Sequence, residues 1–241
     1  MKEEIKDFKG VYRVGWYGIK EMTSYLAHCN VYGFEYKNGF ILIDCGNGFT
    51  GREIYENVKK ITSKKITHIF LTHCHYDHSL NSLFFKEDGT EIICHNICAK
   101  SFQEKTYQVW YEFPHLIKPF KIEKTFNSDK KFIFDQLEIF CIYTPGHTMG
   151  CSSYLLNLNK KRFLFTGDLI MPDGEIGWSG SEDFNKDKLL KSLEKIEKID
   201  FDFLLLGHGG YYDKKDGKEN IKITIEKGKI GKWKVQRDYH Y

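Results

Sequence analysis

The stretch "LTHCHYDHSL", residues 71–80, places three histidines and one aspartate within six positions: His73, His75, Asp77 and His78. Imidazole nitrogens and carboxylate oxygens are ligands for divalent metals, whereas a packed core has little use for four neighbouring polar, titratable groups. These residue types therefore indicate metal chemistry. On an extended backbone His73, His75 and Asp77 would share one side and His78 would point elsewhere, which favours two adjacent metals over one.

Three later segments each end an apolar run with a small residue and a candidate ligand. They are "YTPGHT" with His147, "FTGD" with Asp168 and "LLGHG" with His208. Sites collect at strand ends of α/β sheets because several loops converge there, and glycine lets the backbone bend close to an ion. A lone histidine on an apolar strand is usually a core residue, but the density of ligand types at 73–78 argues for a site.

The chemistry expected of such a site is hydrolysis. Two metals a few ångströms apart can share a water and lower its pKa from about 15.7 towards about 7, which supplies hydroxide at neutral pH. Asp77 could orient this water or carry its proton, and Asp77 and His78 are the predicted catalytic pair. Nitrogen and oxygen donors without thiolate suit zinc, with manganese and iron as alternatives. Cys74 lies on the opposite alternation and is interpreted as a packing residue.

The elements that must position these residues are short strands and helices. The runs "GFILIDCG" and "KITHIFLT" read as strands, and the first follows a hairpin turn predicted at Asn38-Gly39. Apolar spacing predicts a helix over 51–61 and another over 185–199, with Asn185 as its N-cap. The alternation predicts an α/β fold with a mixed, partly parallel sheet and helices outside. Without a visible linker or repeat, one domain over 1–241 is expected.

The whole pattern resembles the metallo-β-lactamase superfamily and, in local texture, its glyoxalase II-like branch. The resemblance rests on H-x-H-x-D-H at 73–78, followed in order by His147, Asp168 and His208. It implies a four-layer αββα sandwich with a dinuclear metal site. The implied ligands of the first metal are His73, His75 and His147. Those of the second are Asp77, His78 and His208, with Asp168 as the bridge and Asp44 as a supporting residue.

The same resemblance implies a hydrolase for a small ester, thioester, lactone or phosphoester. Two alternatives stay open: an iron-dependent oxidoreductase of the persulfide dioxygenase or diiron kind, and an RNA or DNA phosphodiesterase. The complete, histidine-rich ligand set favours hydrolysis over redox chemistry. Candidate substrate contacts are Trp178, Ser179, Tyr143 and Tyr211, with Tyr212 nearby. The aromatic-rich segment 100–126 is either a lid or a packing connection.

Composition bounds the remaining possibilities. A hydrophobic fraction of 41%, with 19 Phe and 15 Tyr, can fill a large core and excludes overall disorder. Residues 212–241 form a basic C-terminal extension with nine Lys or Arg against five Asp or Glu. Because the acids are interspersed, a solvated surface is expected there and nucleic acid is not.

The compartment is predicted from the amino terminus and the cysteines. "MKEEIKDFKG" lacks an apolar signal region, and no apolar run approaches the roughly 20 residues that span a bilayer. The seven cysteines form no C-x-x-C pair and several lie in apolar runs, as free buried thiols do. A reduced, cytoplasmic protein acting on a small molecule, with no membrane partner, is expected.

Overall fold

A computed structural model describes residues 3–4, 10–16, 28–104 and 119–233. The chain divides into two compact units. Unit 1 contains residues 1–126 and 134–137, and unit 2 contains residues 127–133 and 138–241. Each unit is a β-sheet with its own helices, so the predicted α/β class is confirmed. The expectation of a single domain over 1–241 stays a prediction.

Unit 1 is built on a seven-stranded sheet whose strands follow one another in chain order. They are β1 (Glu3–Glu4), β2 (Val11–Gly15), β3 (Val31–Tyr36), β4 (Gly39–Ile43), β5 (Ile66–Phe70), β6 (Glu91–His95) and β7 (Lys124–Phe126). Strands β1 to β4 pair antiparallel, and β4 to β7 pair parallel. The carboxyl ends of β4, β5 and β6 therefore meet at one edge of the sheet.

The predicted β3–β4 hairpin is present, but its turn lies one residue earlier than expected. Tyr36 pairs with Gly39, so the two turn residues are Lys37 and Asn38. Neither has a positive φ, so the turn does not use the conformational freedom of glycine. Gly39 is required for space instead, because a Cβ there would lie 2.5 Å from Cγ2 of Thr67.

Four helices complete the described part of unit 1. They are α1 (Gly51–Lys59), α2 (Tyr76–Ser79), α3 (Ser82–Glu87) and α4 (Asn96–Glu104). The predicted helix over 51–61 corresponds to α1, whose Ile54 and Val58 are buried against sheet residues such as Leu42. Of the predicted lid at 100–126, residues 105–118 lie outside the described residues, so its role stays a prediction.

Unit 2 is built on a six-stranded sheet in the order β13-β12-β11-β10-β9-β8. Its strands are β8 (Lys130–Phe134), β9 (Leu137–Tyr143), β10 (Ser152–Leu158), β11 (Lys161–Phe165), β12 (Phe203–Leu205) and β13 (Tyr211–Asp213). Short 3₁₀ turns follow β11, at Gly167–Leu169 and Pro172–Gly174. Strands β9 and β11 both run antiparallel to β10, and β12 runs parallel to β11. Hence β9, β11 and β12 end at the same edge.

Two long helices pack on this second sheet. Helix α5 (Lys186–Glu197) begins at the predicted N-cap Asn185, whose side chain accepts a hydrogen bond from the Lys188 amide at 2.9 Å. Three of its predicted apolar positions, Leu189, Leu193 and Ile196, are fully buried. Helix α6 (Lys214–Lys229) buries Ile221 and Ile225 in the same cluster. Much of the predicted basic extension is thus a core helix with a charged outer face.

No helix in the described ranges combines the length and apolar character needed to cross a bilayer. All seven cysteines are buried and none is in a disulfide. This agrees with their predicted role as packing residues. The cytoplasmic location stays a prediction.

Candidate metal centre

The histidine-rich motif of unit 1 straddles the start of a one-turn helix. His73 follows strand β5, and His75 is the N-cap of α2 with φ −61° and ψ 147°. Asp77 and His78 lie within that helix. The extended backbone assumed for residues 73–78 is therefore wrong beyond His75. The helical turn brings the His78 ring to within 4.1 Å of the His73 ring, so the expectation that His78 points away from the other three side chains is also wrong.

The four side chains of this first set converge and are buried. The ring of His73 lies 4.7 Å from that of His75 and 4.1 Å from that of His78, measured between centroids. Nε2 of His78 lies 3.6 Å from Oδ2 of Asp77. His73 and His78 are 0% exposed, and His75 and Asp77 are 7% exposed. The first set, His73, His75, Asp77 and His78, thus presents nitrogen and oxygen donors at one place in unit 1.

Asp44 forms hydrogen bonds that orient two histidines of the first set. It follows β4 with φ 62°, and its Oδ2 accepts hydrogen bonds from Nδ1 of His78 and from the Thr72 hydroxyl, each at 2.8 Å. Its Oδ1 accepts from the Thr72 amide at 2.7 Å. The Thr72 hydroxyl directs its proton at Asp44, so its oxygen can accept a hydrogen bond from Nδ1 of His73 at 3.0 Å. Both histidines are thereby held in the tautomer that offers Nε2 to a metal.

A second set of candidate ligands lies at the sheet edge of unit 2. Phe165 and Leu205 pair across the parallel strands β11 and β12, and Asp168 and His208 each follow three residues later. The ladder continues past the strands, because the Thr166 amide donates to the Leu205 carbonyl at 3.1 Å. The shared register therefore brings Asp168 and His208 side by side.

The distances within the second set are those of metal ligands. Oδ2 of Asp168 lies 3.8 Å from Nε2 of His147 and 3.5 Å from Nε2 of His208. Such separations are too long for good hydrogen bonds. Two donors of one tetrahedral zinc, each about 2.0–2.1 Å from the ion, lie about 3.4 Å apart. The 3.6 Å separation between Asp77 and His78 in the first set matches as well. The donor separations in both sets therefore suit the coordination of a divalent metal.

The His147 turn is fixed by the segment that precedes α5. The Gly146 carbonyl accepts from the Asn185 amide at 2.8 Å, and Oδ2 of Asp183 accepts from the Met149 amide at 2.6 Å. Gly146 has φ 142°, and a Cβ there would lie 2.3 Å from the Leu189 backbone. A glycine at this position is therefore a steric requirement of the turn. Sequence reasoning missed Asp183, since only the folded chain brings it to Met149.

The loop after Asp168 packs directly on the second set. The Gly177 amide donates to the Asp168 carbonyl at 3.1 Å. A Cβ on Gly177 would lie 2.6 Å from that carbonyl oxygen and 3.0 Å from Cε1 of His147. The next residues, Trp178 and Ser179, are half-buried and buried respectively. Their predicted contact with substrate stays a prediction.

The tyrosine candidates have structural partners. The Tyr143 hydroxyl donates to the Met149 carbonyl at 3.0 Å, in the His147 turn, and burial raises the pKa of Tyr143. The Tyr211 ring packs edge-on against Phe203 with centroids 6.5 Å apart. Burial likewise raises the pKa of Tyr212. A role in binding substrate stays a prediction for Tyr143 and Tyr211.

Cys29 is a buried thiol close to His78 of the first set. Its sulfur, a carboxylate oxygen of Asp44 and a ring nitrogen of His78 lie within 4.8 Å of one another. Burial raises the pKa of Cys29 to about 12, so the thiol is protonated at neutral pH. Cys29 is thus a buried neighbour of His78, and the four members of the first set offer nitrogen and oxygen donors.

Comparison with known proteins now places the chain. A sequence profile of the metallo-β-lactamase superfamily matches residues 25–208, and the chain belongs to that superfamily. A hydroxyacylglutathione hydrolase from Bartonella tribocorum is 28% identical over 141 residues, which are 58% of this chain and 47% of the relative. An RNase J-like protein from Methanocaldococcus jannaschii is 25% identical over 211 residues, 80% of this chain and 45% of the relative. The chain thus spans about half the length of these curated relatives.

Solved structures show the same fold. A motif mutant of a metallo-β-lactamase from Cronobacter sakazakii superposes with a TM-score of 0.75 over 94% of this chain and 95% of that one, at 18% identity. The predicted metallo-β-lactamase fold is therefore confirmed. At this identity the likeness concerns the fold alone.

Proposed function

We propose that the two sets of ligands together hold two divalent metal ions and that the protein is a metal-dependent hydrolase. The observation that carries the proposal is the presence of two converged donor sets, buried except for His208, each with ligand-like spacing, in a member of the metallo-β-lactamase superfamily. The proposed first metal is held by His73, His75 and His147. The proposed second metal is held by Asp77, His78 and His208, with Asp168 bridging the two.

Zinc is the proposed metal, with iron and manganese as alternatives. Every proposed ligand is an imidazole or a carboxylate, and the separations of 3.5–3.8 Å between donors agree with tetrahedral zinc geometry. When bound, the two ions would lower the pKa of a water towards about 7 and polarise the bond to be broken.

The chain's own residues would contribute orientation and proton transfer. The hydrogen bonds from His78 and Thr72 to Asp44 fix two imidazoles before substrate arrives, so no reorganisation is needed during the reaction. The Asp77 carboxylate is nearly buried, which suits it to hold the proton released by an attacking water. The side chain of His208 is 23% exposed, which leaves the second set accessible from solvent.

The proposed substrate is a small ester or thioester. The name of the Bartonella relative supports this class, and the complete nitrogen and oxygen ligand set supports hydrolysis over iron redox chemistry. Lactones and phosphoesters belong to the same proposal, because the same activated water would attack them. We also propose that the protein acts in the cytoplasm, without a membrane partner.

A phosphodiesterase is the second candidate. The RNase J-like relative favours it, because that protein matches over four-fifths of this chain. The same ligands would activate the water, and only the group they polarise would differ.

The test combines metal analysis with two assays on the full chain purified without added metal. About two zinc ions per chain and hydrolysis of a thioester, followed by release of its thiol, are expected. His75→Ala should lose about one ion and most activity, and Asp168→Ala should disturb both ions. His68→Ala is the matched control, because His68 is a half-buried histidine of β5 that pairs with Glu91 at 3.2 Å.

Three outcomes would overturn the proposal. Two ions retained by His75→Ala would remove that residue from the ligand set. Cleavage of bis(p-nitrophenyl) phosphate without thioester cleavage would favour the phosphodiesterase. Iron with oxygen consumption would replace hydrolysis by a redox reaction.

A further inference from the structure

A cleft lies in unit 2 at the opposite end of β11 from Asp168. Its volume is about 860 Å³, within the range of small-molecule sites. Arg162, near the start of β11, lines the cleft, whereas Asp168 follows the end of that strand. Residues 162–165 extend roughly 10 Å along β11, and Asp168 lies three residues beyond the end of the strand, so the cleft is separate from the candidate ligands of this unit.

The floor of the cleft is apolar. It is formed by the side chains of Phe140, Ile142, Leu155 and Ile199. The first three come from neighbouring positions of β9 and β10 on the face that carries α5, and Ile199 follows the end of that helix. Ile142 and Leu155 are buried in the core beneath this floor, and the half-buried side chains of Phe140 and Ile199 offer apolar surface to a ring or chain.

The rim of the cleft is basic. Five basic and two acidic side chains line it, for a net charge of +3. Lys195 pairs with Asp129 at 2.7 Å, and Arg162 pairs with Asp200 at 3.0 Å. Lys161 pairs with Asp202 at 3.0 Å, whereas across the described residues no carboxylate lies within ion-pair distance of Lys160. The cleft therefore complements an anion that also has an apolar part.

Lys160 is placed on the rim by an unusual turn. Asn159 and Lys160 have φ values of 50° and 65°, and they connect β10 to β11 in the manner of a type I′ hairpin turn. The second position of such a turn is normally glycine, because a side chain there is strained. The turn therefore places an exposed lysine on the rim of the cleft.

Asn157 adds a hydrogen-bond acceptor to the half-buried wall of the cleft. It lines the cleft, and its Oδ1 is buried yet accepts no hydrogen bond from any described residue. Buried amide oxygens are normally satisfied. A hydroxyl or amino group of a ligand would satisfy this one.

We propose that this cleft binds a nucleoside phosphate. Its base would lie on the apolar floor near Phe140, its phosphates would meet Lys160 and the neighbouring cations, and a hydroxyl or amino group would donate to Asn157. None of the proposed metal ligands lines this cleft, so the proposal can be tested separately from the proposed hydrolase.

The test is calorimetric titration of the full chain with ADP, adenosine and pyrophosphate. ADP should bind with a Kd below about 1 mM, and more tightly than either fragment. Lys160→Gly should weaken ADP binding about tenfold and keep or raise the thermal midpoint, because glycine suits the turn. Asn157→Leu should also weaken ADP without loss of stability. Lys215→Ala, which removes an exposed lysine of α6, is the matched control and should bind as wild type.

Several results would overturn the assignment. They are the absence of ADP binding, equal binding of pyrophosphate, unchanged affinity in Lys160→Gly, and tighter binding of a single-stranded oligonucleotide. The last result would mark the cleft as part of a polynucleotide surface instead.

Discussion

Asp44 shows how one carboxylate controls two metal-ligand candidates. It accepts three hydrogen bonds, one from His78 and two from Thr72. The Thr72 hydroxyl in turn accepts a hydrogen bond from His73, so Asp44 also orients that imidazole. Its φ of 62° turns the chain so that the side chain points back under the ligands. Outer partners of this kind orient imidazoles and raise their basicity. Asp44 is therefore expected to contribute to metal affinity through the ligands that it orients.

Asp44→Asn should weaken metal binding by about 10- to 100-fold while the fold is retained. Asparagine tolerates positive φ as well as aspartate does, so the backbone is not strained by the change. Without the negative charge of Asp44, the His78 tautomer that carries its proton on Nδ1 and offers Nε2 to a metal is less favoured. Competition with a chromophoric chelator measures the affinity.

The control for this variant is Asp135→Asn. Asp135 is also an aspartate of unit 1 with positive φ, at 56°, but it is exposed and contacts Asn38. Its metal affinity should equal that of wild type. Equal loss in both variants would show that the charge of Asp44 has no specific effect on the ligands.

At the scale of elements, His147 is held by the contact between its turn and the start of α5. Gly146 lies against the backbone of Leu189, and Asp183 and Asn185 hold the same turn by hydrogen bonds. The turn and the helix end therefore behave as one packed element. A change at either should move a candidate ligand.

Gly146→Ala should lower the free energy of unfolding by at least about 2 kcal/mol, because the new Cβ meets backbone and the φ of 142° disfavours any side chain. Metal affinity should fall with it. Urea unfolding measures the first effect and chelator competition the second. Gly89→Ala is the matched control, since Gly89 has φ 86° but nothing within 4 Å of its would-be Cβ.

Gly89→Ala should show strain alone, about 1 kcal/mol, with unchanged metal binding. If both variants lose the same stability and bind metal equally, the packing of the His147 turn on α5 does not position the ligand.

At the scale of the whole molecule, the superfamily match extends across both units. Each unit alone buries several imidazoles or carboxylates at close quarters, which costs free energy unless an ion compensates. Bound metal should consequently stabilise the folded chain by mass action.

Chelation should lower the thermal midpoint by about 10 °C. Metal at 1,000 times its Kd contributes about 4 kcal/mol, and 1 kcal/mol shifts the midpoint by about 2–4 °C in a chain of this size. Scanning calorimetry before and after chelation, with zinc restored afterwards, measures the effect. A double variant, His75→Ala with His208→Ala, should no longer respond to the chelator. An unchanged wild-type midpoint after complete metal removal would contradict the expectation.

The sequence predicted the fold class and named the seven side chains that make up the two sets, because short apolar strands end at residues of metal-binding type; their division between two metals stays a prediction. It could not predict the hydrogen bonds of Asp44 with Thr72 or of Asp183 with Met149, since these depend on contacts between distant segments. The direction of His78 was wrong because alternation was applied where the chain coils into α2. The hairpin turn was predicted one residue too late because Gly39 was interpreted as a turn residue. Gly39 is required instead for the space beside Thr67.

The burial of all seven cysteines has a practical consequence at the bench. A coloured thiol reagent added to the native protein finds no accessible sulfhydryl, so thiol released from a thioester is counted without background from the protein. When the chain unfolds, seven sulfhydryls become reactive together. In the absence of substrate, the slow appearance of colour therefore measures the unfolding rate. The same reagent thus serves to assay activity and to measure kinetic stability.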